Sequence, residues 1–259
     1  IALAGDLADT HLCGDNRAVL PTDSQKNTVY AFAQQYGVGE PEQFALRLAR
    51  HFVDAQPAIG WARVAVTQHG WQRLDLAGTP APHSFVHSGA ETRLACVTCA
   101  GSAAWVVSGV AGLVVLNTTG SEFTGFARDR YTTLADATDR ILATAVDARW
   151  RPAEPETGGG TDWTASHAEV RRHLLAAFAG THSLSLQHTL YAMGSRVLDH
   201  CPEVAEIRLT LPNRHHLPVD LSPYGQSNSD EVFAATDRPY GLIEGSVLRA
   251  GVPAAAEAW

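Results

Sequence analysis

Apolar residues recur at helical spacing in two parts of the chain, and each part predicts a pair of helices. In chain order the predicted helices are a stretch from Thr22 or Asp23 to near Gly37, a stretch after Pro41, Ser166–Ala179 and Leu186–His200. We expect Thr22 or Asp23 to be an N-cap, because either side chain can accept a hydrogen bond from a free N–H at a helix start. Gly37 is expected to end that helix.

Strand-like stretches, several with alternating apolar and polar positions, are predicted before and after each helix pair. In chain order these are Ile1–Ala4, Trp61–Gln68, Thr92–Ala100, Ala104–Val110, Leu113–Thr118, Thr144–Trp150, Ile207–Leu211, Leu217–Leu221 and Gly241–Arg249. Thr133–Leu142 is expected to be helical, and Pro152–Gly160, with three consecutive glycines, is expected to be a loop. Because a helix pair followed by strands occurs twice, the pattern favours a duplicated α+β unit with antiparallel sheets.

The composition of the 259 residues is that of a globular protein with one large domain or two small ones, since 45% are hydrophobic. Lys and Arg number 19 against 27 Asp and Glu, and the net charge of −8 argues against broad nucleic-acid binding. No apolar run is long enough to span a membrane. Residues 1–15 do not read as a secretory signal, and the four cysteines fit a cytoplasmic location.

Neither the cysteines nor the paired histidines predict a metal site. Cys96 and Cys99 lie three apart on a predicted strand, so they face opposite sides, and no second cysteine pair exists. His215 and His216 are neighbours on a strand and are also expected to point apart.

The segment Leu113–Arg140 is the one in which we expect chemistry. It begins as a strand and then becomes polar, with aromatic and small residues that could place Phe123 and Arg140 in one pocket. A guanidinium fork binds a planar oxyanion or amide edge, and a phenyl face stacks on a flat ring. The alternative is an irregular surface connection, and no phosphate-loop, dinucleotide or hydrolase motif occurs elsewhere.

This segment resembles the signature of the urate oxidase (uricase) family, which has the tunnelling fold. The matching positions are Leu113, Val115, Leu116, Thr118, Thr119, Ser121, Phe123, Phe126, Tyr131, Leu134 and Arg140. Three other segments also resemble family motifs: Leu20–Tyr30 the Thr-Asp helix start, Ser185–Gln187 the glutamine motif, and Leu211–His215 the Pro-Asn-Lys-His motif. In the last of these, Arg214 replaces the usual lysine.

The resemblance implies a substrate-binding role for several residues. Arg140 and Gln187 would clamp the pyrimidine edge of urate, Phe123 would stack under the purine, and the backbone N–H of Leu186 would add a hydrogen bond. Asn213 would hold oxygen or water above the ring.

The resemblance also assigns roles to residues that act across subunits. Thr22 and Asp23 would reach the five-membered ring of urate from a neighbouring subunit. His215 would be catalytic, as part of a proton relay that ends at Thr22.

The implied activity is cofactor-independent oxidation of urate by O2 and water to 5-hydroxyisourate and hydrogen peroxide, with no metal. The implied architecture is α+β, with two tandem tunnelling-fold units and helix pairs on the outer face of antiparallel sheets. The first unit would span residues 1–110 and is expected to be incomplete at its N-terminus, and the second would span residues 111–259. The implied assembly is a homotetramer whose active sites lie between subunits. We expect no nucleic-acid or membrane partner.

The main departure from the family pattern concerns the family's first strand. The family's first strand carries Tyr-Gly-Lys, whose lysine completes the relay, and that motif is absent from these 259 residues. The only lysine is Lys26, which has its own counterpart in the Thr-Asp helix. Three explanations of the missing motif are open: the native chain is longer, the sequence omits an N-terminal segment, or this is a natural homologue with altered or lost activity.

Alternative functions remain open at this point. A non-catalytic purine-binding homologue would retain Phe123, Arg140 and Gln187 without turnover. A tunnelling-fold enzyme acting on pterins would need a metal-ligand set that is not evident, and a generic hydrolase has no nucleophile motif to support it.

Overall fold

The structure is a computed structural model that describes residues 1–89, 91–153 and 160–259. The strands are β1 (Ala2–Gly5), β2 (Ile59–Gln68), β3 (Trp71–Asp75), β4 (Pro80–His87), β5 (Thr92–Ala100), β6 (Ala103–Asn117), β7 (Leu142–Pro152), β8 (Val204–Pro212), β9 (His215–Pro218), β10 (Phe233–Thr236) and β11 (Leu242–Leu248). The helices are α1 (Ala8–Leu12), α2 (Thr22–Tyr36), α3 (Pro41–Ala55), α4 (Trp163–Gly180) and α5 (Leu186–His200).

Seven of the described strands form one antiparallel sheet in the order β1-β2-β5-β6-β7-β8-β11. Two small hairpins, β3–β4 and β9–β10, stand apart from it. The helices and this antiparallel sheet together form the predicted α+β architecture. None of the described helices combines the length and the apolar character needed to cross a bilayer.

Two hydrophobic clusters hold the helices against the sheet. In the first, α3 buries Phe44, Leu48 and Phe52, spaced four apart, against β2, β5 and β6. In the second, α4 and α5 pack on β6, β7 and β8, with Met193 and Val197 fully covered.

A buried polar group lies between α3 and the sheet. The Glu42 carboxylate of α3 accepts hydrogen bonds from Arg93 of β5 and Ser108 of β6, each at 2.7 Å. Because a buried charge is tolerated only when it is paired and hydrogen-bonded, these contacts fix the position of α3 on the sheet.

Most of the predicted elements are present. Both helix pairs form, and β5 and α5 begin and end at the predicted residues. Gly37 ends α2 with a positive φ of 71°, as expected.

Other expectations are wrong. Pro21, and not Thr22 or Asp23, occupies the N-cap of α2, and no side chain caps that helix. The two strands expected at 104–110 and 113–118 are the single strand β6, whose register shifts between Val110 and Leu113. The helix expected at 133–142 is absent, because long-range backbone bonds hold that stretch in an irregular conformation.

Three further predictions concern β9, the glycine-rich loop and the division into two units. The strand expected at 217–221 is shorter and earlier, since β9 spans His215–Pro218. Of the loop expected at 152–160, residues 154–159 lie outside the described residues. The division into units 1–110 and 111–259 falls within β6 and stays a prediction.

Candidate active site

A cleft of about 830 Å³ opens between the irregular segment 118–141, the start of α5 and the β9–β10 hairpin. Six predicted site residues line it: Phe123, Arg140, Leu186, Gln187, Asn213 and His215. These residues come from three separate stretches of sequence, and the fold brings them together.

Backbone pairing across the irregular segment positions Phe123. The Phe123 N–H donates to the Ala137 carbonyl at 2.8 Å, and the Ala137 N–H donates back at 3.0 Å. One face of the Phe123 ring stacks on Phe126, with the ring centroids 5.0 Å apart and the planes 12° from parallel. Stacking on Phe126 orients the Phe123 ring at the wall of the cleft.

Arg140 lies beside Phe123, with its guanidinium carbon 5.5 Å from the ring centroid. Its backbone N–H donates to the Ser121 carbonyl at 2.8 Å, which fixes the start of the side chain. Burial lowers the pKa of the Arg140 guanidinium from its usual value. Within the described residues its buried Nε–H has no hydrogen-bond acceptor, so an acceptor on a ligand would relieve the cost of leaving this donor unpaired.

The first turn of α5 forms the opposite wall. Ser185 caps the helix, its hydroxyl accepting from the His188 N–H at 3.1 Å. Leu186 and Gln187 are the first two helical residues, and N–H groups at these positions have no partner within a helix. The Leu186 side chain is buried in the core, whereas Gln187 is exposed and borders the cleft. This wall therefore presents amide donors and the positive end of a helix dipole.

The third wall follows β8. The Asn213 N–H donates to the Gly241 carbonyl at 2.8 Å, and the next N–H, that of Arg214, donates to the Ala143 carbonyl at 2.9 Å. His215 then begins β9 opposite Thr236. These bonds hold Asn213 and His215 at the edge of the cleft.

Thr22 and Asp23 are not part of this cleft. They are exposed in the first turn of α2, where the Asp23 carboxylate accepts from Lys26 Nζ at 2.6 Å and from Asn27 Nδ2 at 2.9 Å. Their predicted action on the ligand of a neighbouring subunit stays a prediction.

Some cleft residues are not anticipated by the sequence reasoning. Asp139 and His216 border the cleft, as do Leu217, Pro218 and Phe233 of the β9–β10 hairpin. Asp139 immediately precedes Arg140, and only this adjacency in the sequence could have indicated that Asp139 belongs to the site. Within the described residues no group of three or more His, Cys, Asp or Glu side chains could hold a metal ion.

Comparison with known proteins shows the family. The Uricase family model matches residues 3–98 and 106–244. The chain belongs to the uricase family. Among curated relatives, the uricase of Arthrobacter globiformis is 48% identical over 257 residues, covering 99% of this chain and 82% of the relative. The uricase of Aspergillus flavus is 36% identical, covering 97% of this chain and 87% of the relative.

Solved uricase structures have the same fold. The crystal structure of the Arthrobacter globiformis uricase superposes with a TM-score of 0.91 at 48% identity, covering 98% of this chain and 85% of the other. A uricase structure from Bacillus fastidious gives a TM-score of 0.80 at 25% identity, covering 95% and 79%. The uricase fold is therefore retained where the sequences have diverged widely.

Proposed function

We propose that this chain is a urate oxidase that uses O2 and water to convert urate to 5-hydroxyisourate and hydrogen peroxide, without a cofactor. The observation that carries the proposal is the convergence of Arg140, Gln187 and Phe123 in one cleft. Membership of the uricase family, over nearly the whole chain, supports the same activity.

The cleft suits a flat anion with acceptors along one edge. The Arg140 guanidinium offers a fork of N–H donors, and the Gln187 amide offers both a donor and an acceptor. The Leu186 N–H at the start of α5 adds a donor at the positive end of a helix. Phe123 supplies an apolar face for the ring.

The reaction then requires electron transfer from urate to oxygen. Once urate is deprotonated, it can reduce O2 itself, and recombination gives a hydroperoxide at the ring. Loss of hydrogen peroxide, followed by attack of water, gives 5-hydroxyisourate. In this proposal Asn213 holds oxygen or water above the ring, while His215 and Thr22 relay the protons.

We further propose a homotetramer in which each cleft is completed by Thr22 and Asp23 of a neighbouring subunit. The exposure of both residues at the start of α2 supports this arrangement, because it leaves them accessible to a second chain. Closed symmetric assembly is the usual form of soluble oligomers.

The alternative is a purine-binding homologue without turnover. One observation favours it: the cleft of a single chain contains the binding residues Phe123, Arg140 and Gln187, whereas Thr22 of the proposed proton relay lies outside it.

The test is to add urate to the aerobic protein and to record urate loss, oxygen uptake and hydrogen peroxide together, with and without a metal chelator. Equal molar consumption of urate and oxygen, unaffected by the chelator, is the expected result. Binding of urate without consumption would favour the alternative, and a loss of activity reversed by metal would contradict cofactor independence.

A further inference from the structure

The carboxylate of Asp139, next to Arg140, is fully engaged by the turn that faces it. Asp139 Oδ2 accepts from the Thr119 hydroxyl. Asp139 Oδ1 accepts from the backbone N–H groups of Gly120 at 2.9 Å, Ser121 at 3.3 Å and Arg140 at 3.0 Å. One side chain thus joins the turn 119–121 to the backbone of Arg140.

The same turn is joined to the opposite wall of the cleft. The Ser183 N–H donates to the Gly120 carbonyl at 2.9 Å, and the Glu122 N–H donates to the Ser183 carbonyl at 2.8 Å. Ser183 is fully buried and lies three residues before α5, which carries Gln187. A continuous set of short hydrogen bonds therefore runs from Arg140 through the turn to the start of α5.

We propose that Asp139 is a positioning residue that sets the spacing and orientation of Arg140 relative to Gln187. This inference rests on the proposed function, in which Arg140 and Gln187 bind one planar edge of urate and must therefore be held at a fixed spacing. A misplacement of about 1 Å in such a clamp is enough to lower catalytic efficiency by roughly 100-fold.

The placement of the Asp139 charge supports this role. A carboxylate this close to an arginine would ordinarily pair with the guanidinium, but the hydrogen bonds of Asp139 go to a hydroxyl and to backbone N–H groups. The Thr119 hydroxyl and these N–H groups hold the pKa of the Asp139 carboxyl below its usual value, so it stays ionised at neutral pH. The Arg140 guanidinium keeps its donors for a ligand.

The experiment compares Asp139→Asn and Thr119→Val with two matched controls. Asp136→Asn removes a charge from an exposed carboxylate of the same segment, whose partner is Arg128 at 3.1 Å. Thr119→Ser keeps the hydroxyl that Thr119→Val removes. The readouts are KM and kcat for urate, the Kd of a purine that is not oxidised, and the thermal midpoint.

We expect Asp139→Asn to raise KM and Kd together by roughly 10-fold or more, and Thr119→Val to raise them by a smaller factor. For both controls, KM and Kd should stay within about twofold of the values for the parent chain. A merely structural role would lower the thermal midpoint and the fraction of active protein without moving KM or Kd, because neither constant depends on how much protein is folded.

The outcomes separate this inference from the proposed function. An unchanged KM and Kd in folded Asp139→Asn, or equal values for Thr119→Val and Thr119→Ser, would overturn the positioning role alone. If Asp139→Asn does not fold, the KM and Kd of Thr119→Val, compared with those of Thr119→Ser, test the positioning role instead. A parent chain that neither binds nor consumes urate would overturn both.

Discussion

At the scale of single residues, Arg140 has the property that most clearly indicates a ligand. Its guanidinium is half-buried, and its Nε–H has no acceptor among the described residues. Fold stability gains nothing from a donor left in this state, because an unpaired buried donor is destabilising. An acceptor on a bound ligand would explain the arrangement.

Arg140→Lys should weaken purine binding by roughly 10–100-fold, because a lysine keeps the charge but loses the planar fork. Arg140→Ala should weaken it at least as much. Arg130→Lys is the control, since Arg130 is exposed on the same segment and does not line the cleft. Equilibrium binding measures the change, and an unaltered Kd for Arg140→Lys would contradict bidentate recognition.

We expect His167 to make the stability of the fold depend on pH. It lies on α4 with its Nε2 3.2 Å from the Gly109 carbonyl, and burial, together with Arg93, lowers its pKa to about 4. In the unfolded chain the pKa of a histidine is about 6.5. As the pH falls, the unfolded chain therefore binds a proton at His167 before the folded chain does. The stability that neutral His167 contributes is present above pH 6.5 and is lost between pH 6.5 and about 4.

Urea unfolding at pH 7 and at pH 5 measures this effect. Relative to His167→Gln, which cannot titrate, the parent chain should lose about 2 kcal/mol of unfolding free energy over that interval. Parallel pH dependence in the two proteins would show that His167 does not contribute.

At the scale of elements, two glycines set how closely α5 approaches β11. A Cβ on Gly194 would lie 2.5 Å from Val247 Cγ2, and a Cβ on Gly245 would lie 2.8 Å from Leu190 Cδ2. The strand β11 follows Gly241, whose carbonyl holds the Asn213 N–H. Close packing here therefore contributes to the position of one cleft wall.

Gly194→Ala should lower the free energy of unfolding by about 1–3 kcal/mol, because overpacking outweighs the better helix propensity of alanine. Gly180→Ala is the matched control, since a Cβ at the end of α4 meets nothing within 4 Å. Denaturant unfolding compares the two. An equally stable Gly194→Ala protein would show that α5 shifts at no cost.

The sequence predicts best those elements whose own residues supply the packing. In α5, Leu190, Met193 and Val197 lie on one face and bury against the sheet, so periodicity locates the helix. It fails at 133–142, where the apolar spacing resembles that of a helix but backbone bonds between Phe123 and Ala137 decide the conformation. It also misses the β3–β4 hairpin, because every residue of β3 is exposed.

The residues of the candidate site also differ in how far the sequence predicts them. The polar and aromatic character of segment 113–140 already predicts that Phe123 and Arg140 share a pocket, whereas Gln187 is predicted only through the family resemblance. Asp139 is missed because its role depends on a turn 18–20 residues earlier in the chain.

At the scale of the whole molecule, no chain by itself unites all the residues assigned to the site. Six line the cleft, whereas Thr22 and Asp23 lie at the exposed start of α2. If neighbouring subunits complete each other, activity is a property of the assembly and not of the chain.

Complementation tests this directly. Thr22→Val and Arg140→Ala should each reduce turnover, but mixed assemblies should regain intact sites wherever an Arg140-bearing cleft meets an intact Thr22. Random mixing predicts such a combination in about a quarter of the sites. Each variant assembled alone is the control, and mixtures no more active than the controls would contradict a shared site.

The single lysine has a practical consequence for chemical labelling. The Lys26 ammonium is the only side-chain amine in the sequence, and it lies about one helical turn from Thr22. An amine-directed dye or polymer would therefore modify side chains only at this point on α2. Such a conjugate would carry its label beside the residues proposed to enter the neighbouring cleft, so it would report on subunit contact and, if bulky, would block it.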